Sequence, residues 1–162
     1  MDFKEKLAKI AEINKNRTDN LEQDKNRWIQ EVNKLYKDIN DWFNEYIKED
    51  YMAIEFNSLK HIEYEEFIDN IQIMELELGG GPSVILEPTG INVIGAFGKI
   101  NLYLRGHKDE KVLLLLVENG DEKLQWELWK NRKDTIIFNK KTFEKLLDEW
   151  LDKWAGIHNG NR

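Results

Sequence analysis

The sequence predicts an α+β fold: N-terminal helices, one of them long and amphipathic, packed on a mostly antiparallel sheet of five to seven strands and closed by a C-terminal amphipathic helix. Apolar residues recur at helical spacing through the first part of the chain and again near its end. Between them, from about residue 71, short β-branched and aliphatic segments alternate with turn residues. Turns this short join antiparallel neighbours rather than crossover units. The 162 residues fit one cooperative domain, with residues 1–70 as a helical region and 71–162 as sheet plus final helix.

The elements follow in order. Phe3, Leu7, Ile10 and Ala11 keep helical spacing and predict a short first helix. The polar stretch "NKNRTDN" interrupts it, and Asp19 with Glu22 three residues on reads as a capping box that restarts a helix near residue 20. From there to about residue 49, Trp28, Val32, Leu35, Ile39, Trp42 and Tyr46 mark one seam, flanked by Ile29, Tyr36 and Phe43. Its 3.5-residue repeat is also that of a coiled coil, so packing on the sheet competes with a homodimer through the N-terminal helix. A helix of this length spans ~45 Å. A strand spans only ~20 Å, so part of the helix should overhang. The first helix folding back, or a second copy of the protein, could cover that overhang.

Residues 51–70 hold apolar residues at both spacings, and no Gly or Pro punctuates them; they read as a helical continuation or a second short helix. Then "IQIMELEL" alternates, and "SVIL", "INVI" and "KINLYL" are short strands. "KVLLLLVEN" is apolar at consecutive positions and predicts a central strand covered on both faces. "LQWELWKN" and "DTIIFN" complete the sheet. Phe143, Leu146, Leu147, Trp150, Leu151 and Trp154 form one face of the closing helix, with Asn139 or Thr142 as its cap.

Residues 76–99 hold six of the ten glycines, which raises the question of a phosphate-binding loop. Gly79-Gly80-Gly81 leads into Pro82 and a strand, not into a helix whose amides could meet a pyrophosphate. "VIGAFGKI" has Val93 where a P-loop needs its first glycine and Ile100 where Ser or Thr would hold magnesium. "GGPSVI" lacks the last glycine of a nucleophile elbow. The glycines are therefore read as turns: Gly79–Gly81 a hairpin, Glu87–Gly90 a type I turn, Gly95 and Gly98 a bulge or turn around Phe97.

No catalytic set is complete, and neither a cofactor nor a metal is expected. His61, His107 and His158 lack metal-ligand spacing; His61 and Glu65 make one helical pair at most. Ser58 and Ser83 have no legible base. The alternative, a small enzyme or a nucleotide- or ligand-binding domain, would use Glu75, Glu77, Glu87 and Lys99 together with the glycine turns of the sheet. Lys130, Arg132 and Lys133 at one turn, near Trp129, make a small basic group. The net charge of −7 disfavours nucleic acid as a partner.

That charge is uneven. Residues 51–80 carry seven acids and one base, Lys60. Glu63, Glu65, Glu66 and Asp69 are the densest group and would steer a basic protein partner. Tyr103 and Trp129 alternate away from their apolar neighbours, so they are candidate contact residues, unless the N-terminal helix covers that second face. The expected function is a non-enzymatic protein-binding module with an acidic surface, of the inhibitor, immunity or antitoxin-like adaptor kind. With no cysteine, no apolar N-terminal leader and no apolar run beyond "VLLLLV", the chain reads as cytoplasmic and without a membrane partner.

Overall fold

The computed structural model describes residues 2–58, 71–90 and 96–159, the last three by backbone alone. Helix α1 (Phe3–Trp42) is followed by the short α2 (Asn44–Lys48) and by strands β1 (Met52–Ser58), β2 (Gln72–Leu78), β3 (Ser83–Gly90), β4 (Gly98–Leu104), β5 (Val112–Glu118), β6 (Leu124–Asn131) and β7 (Asp134–Ile137). Helix α3 (Lys140–Asn159) closes the chain. The strands form one seven-stranded sheet in sequence order, every neighbour antiparallel. The α+β class and the antiparallel pairing agree with the sequence reading, which left the strand order open.

Three expectations about the first sixty residues are corrected. The first helix does not break near residue 14: α1 is continuous over 40 residues, and its capping box is Asp2 with Glu5, not Asp19 with Glu22. The segment 14–20 is polar but contains no Gly or Pro, so nothing in it terminates a helix already propagating. The continuous helix also rules out a first helix folding back as a hairpin. Finally, residues 52–58 are strand rather than helix, so the sheet draws its first strand from the region read as helical. Asp50, at φ 60°, reverses the chain after α2. Met52, Ile54 and Phe56 then pair with Leu78, Leu76 and Met74 on the core side. The rest of 59–70 lies outside the described residues.

The core forms where the seam of α1 meets one face of the sheet. Trp28, Val32, Leu35, Tyr36 and Ile39 are buried against Met74, Leu76, Val84, Leu86, Ile100, Leu102, Leu114, Leu116 and Leu128. The seam 28–39 is thus intramolecular core, not a dimer contact. Tyr36 donates its hydroxyl to the Gln72 carbonyl at 2.6 Å, and burial drives its pKa upward. Phe143, Leu146 and Leu147 of α3 join the same core. Asn139 and Thr142 cap α3, Asn139 Oδ1 accepting from the Thr142 backbone N–H at 3.0 Å.

The glycine stretch is structural. Gly79 and Gly80, at φ 60° and 71°, turn the β2–β3 hairpin as expected. Glu87–Gly90, expected as a turn, lies instead inside β3, with a register shift between Pro88 and Gly90. Gly98 is not a turn residue either; it opens β4 directly beneath Trp28. Gly95 lies outside the described residues.

Candidate binding face

Strand alternation sends every second side chain away from α1 and α3. The register aligns these outward residues into rows. One row is Glu55–Glu75–Ile85–Tyr103, the next is Glu87–Asn101–Leu113–Trp129, and a third is Lys99–Leu115–Glu127–Ile137. No described helix packs on this face. β5 is a central strand with Leu114, Leu115 and Leu116 all buried, whereas α1 does not cover the face that bears Tyr103 and Trp129. Ile85 and Leu115 are buried on it yet stand outside the main core.

The four residues of the ligand-binding alternative and the two aromatic contact candidates thus share one surface. Glu77 is exposed on β2, two residues from Glu75, and Lys99 is half-buried on β4. Trp129 is half-buried, its indole N–H donating to Glu127 at 3.2 Å. Glu63, Glu65, Glu66, Asp69 and His61 lie outside the described residues, as does the side chain of His158.

The centre of the face is a charged network. Glu75 and Glu87 are both buried, and each receives a cation from the β4–β5 connection. The Arg105 guanidinium lies 2.9 and 3.0 Å from the two Glu75 oxygens, and Lys108, in a short 3-10 turn, reaches Glu87 at 2.9 Å. The Tyr103 hydroxyl donates to the other Glu87 oxygen at 3.1 Å. Asn101 Nδ2 lies 3.5 Å from Glu87, while Asn101 Oδ1 is buried with no hydrogen-bond partner. A depression of about 320 Å³ opens beside this network, bounded by Asn57, Ile73, Glu75, Ile85, Tyr103 and Arg105.

Burial alone would raise the Glu87 pKa, but the ammonium of Lys108 and the Tyr103 and Asn101 donors outweigh it and hold the carboxyl below its ordinary value. Burial and the adjacent Glu87 charge push the Tyr103 phenol up to about 12. At neutral pH the pair is therefore a carboxylate and a phenol that donates to it. A general acid needs a raised carboxyl pKa, and Glu87 has the opposite. Glu87 is therefore an ion-paired carboxylate, not a protonated general acid.

The sign of this shift makes a prediction. A depressed folded-state pKa adds stability above the unfolded value, near 4.5, and that stability is lost as pH falls through the folded value. Lys108→Ala should therefore lower stability at pH 7, by less than about 1 kcal/mol because the lysine is half-exposed. The gap between wild type and variant should close as pH falls below 4.5 in thermal melts. A gap independent of pH would remove the Glu87–Lys108 pair as its cause.

No protein-family model, curated protein or solved structure matches this chain. Among the described residues no three His, Asp or Glu side chains are grouped to hold a metal ion, and no helix is long and apolar enough to cross a membrane. The basic group at Lys130, Arg132 and Lys133 occupies the exposed end of the β6–β7 hairpin, and Lys130 pairs with Glu149 at 3.3 Å. Arg105, Lys108 and Asn101 were not singled out in the sequence. Arg105 was within reach, since it shares the parity of Tyr103; Lys108 sits in a turn whose path no pattern announces.

Proposed function

We propose that this protein is a non-enzymatic protein-binding module whose helix-free sheet face receives a basic partner. The observation that carries this reading is the cross-strand pair Glu55–Glu75. Like charges directly opposite one another destabilise a sheet, and while Arg105 and Lys108 offset Glu75 and Glu87, the exposed Glu55 and Glu77 favour a role in binding positive charge. Half-buried Tyr103 and Trp129 supply amphipathic rings on the same surface, the side-chain types enriched at interface hot spots. Glu63, Glu65, Glu66 and Asp69 fall in the sequence between β1 and β2 and would add to the attraction of a basic partner. An inhibitor, immunity or antitoxin-like adaptor would use such a surface to mask a cationic region of its target.

The test is retention from a source lysate by wild type and by the Glu55→Lys/Glu77→Lys variant, washed at low and then high salt. Both substituted residues are exposed, so the fold should persist, and Glu55→Lys should leave the melting temperature unchanged or slightly raised. A basic protein held by wild type at low salt, released at high salt and missed by the variant is the expected result. Retention of the same proteins by both would refute this face as the contact.

The depression beside Glu75 favours a second reading, a small cationic ligand seated against that carboxylate in place of Arg105. Thermal shift against a panel of amines and guanidines tests it, and flat curves across the panel would eliminate it.

A further inference from the structure

The first part of α1 extends well beyond the core: residues 3–20 are exposed throughout, and the first buried residue is Trp28. Phe3, Leu7, Ile10 and Ile13 nevertheless form an apolar stripe at helical spacing, with Phe3 76% exposed and Ile10 55%. The stripe continues the same helix face that packs on the sheet from Trp28 onward. Its acids lie on one side. Lys6 and Arg17 border the stripe, Glu5, Glu12 and Asp19 recur every seven residues along the opposite side, and Lys4, Lys9 and Lys15 flank those acids. The arm thus offers apolar surface edged with positive charge and keeps its acids turned away.

We infer that this arm docks on the acidic helix-free face of a second copy of the chain. The inference rests on the reading of that face as a receptor for a basic partner, and it names the partner. Charge complementarity selects the occupant: a cation-edged apolar stripe meets a face with Glu55 and Glu77 at its β1–β2 edge and with Glu127 beside Trp129 and Ile137 at its β6–β7 edge. Arm-to-arm pairing is disfavoured by the same sorting, because it would bring the cationic edges of two arms together. The dimensions agree. Residues 3–21 span about 28 Å as a helix. Seven strands spaced by about 4.8 Å span about 29 Å. When each copy lends its arm to the other, the two equivalent contacts close a two-fold dimer.

Sedimentation equilibrium of the full chain at high micromolar concentration tests this with two charge-reversed variants, Lys6→Glu/Arg17→Glu on the arm and Glu55→Lys/Glu77→Lys on the face. Wild type should be a dimer at low salt and dissociate at high salt. Each variant alone should self-associate at least about tenfold more weakly. An equimolar mixture of the two should recover dimer mass, because both contacts are then of opposite charge again. A wild-type monomer overturns the inference, as does a dimer sensitive to the arm variant and indifferent to the face variant. A monomer whose arm sediments with phosphatidylserine vesicles overturns it too. A monomer that still captures a basic lysate protein through Glu55 and Glu77 would defeat this inference while leaving the proposed function standing.

Discussion

Gly98→Ala should destabilise the protein by about 3 kcal/mol, although it adds a single methyl group. A Cβ at this position would lie within 3 Å of three atoms of the Trp28 six-membered ring. The ring cannot easily retreat. Trp28 is 1% exposed, its centroid is 5.7 Å from that of Trp126, and half-buried Phe97 packs against the same core. At this chain length the loss corresponds to a fall in melting temperature of roughly 6–12 °C. Trp28→Phe in the Gly98→Ala background should return part of it, because the smaller ring vacates the contested space, and the two substitutions should be non-additive. Gly120→Ala is the control: its Cβ would meet nothing within 4 Å. A Gly98→Ala protein as stable as the Gly120→Ala control would show that α1 does not approach β4 so closely.

Phe43→Ala should cost about 3–5 kcal/mol, the range for truncating a fully buried aromatic. Phe43 separates α1 from α2, and its ring lies 5.6 Å from Phe143, 6.1 Å from Tyr46 and 6.5 Å from Trp42. Phe143 in turn stands 4.9 Å from Phe138. One side chain therefore ties the end of the long helix to the start of α3. The consequence extends to the binding face, because Lys153 on α3 meets Glu110 at 2.6 Å, in the 3-10 turn that carries Lys108. Chemical denaturation should show the loss, and combining Phe43→Ala with Phe143→Ala should cost less than the sum of the two. A change below 1 kcal/mol, or strict additivity, would mean that α3 is held by contacts other than this cluster.

The two expected losses also mark where the sequence was legible and where it was not. Strand alternation points Tyr103 and Trp129 away from their apolar neighbours and puts Glu75 and Glu77 on one side of their strand, whereas Glu87 reads as a turn residue and Lys99 only as a nearby amine. What parity cannot supply is register, and register is what sets Glu55 against Glu75 and Asn101 beside Leu113. Gly98 looked like a turn residue because glycine usually is one; its close approach to Trp28 involves partners seventy positions apart. Strand β1 was missed because "YMAIEF" satisfies both periodicities, and the exposed edge of β2 decides between them. The uninterrupted α1 has the reverse cause: the stretch 14–20 looks like a break because it is polar, yet every residue in it is compatible with helical backbone.

The central claim is that the helix-free face, and not α1 or α3, is the surface that recognises positive charge. Titration of an arginine-rich decapeptide into the isotope-labelled full chain, followed by amide chemical shifts, tests it most directly. The predicted result is a set of saturable shifts at Glu55, Glu75, Glu77, Ile85 and Tyr103 that vanish at high salt and in the Glu55→Lys/Glu77→Lys variant. Shifts confined to α1 and α3, or identical shifts in wild type and variant, would contradict the account.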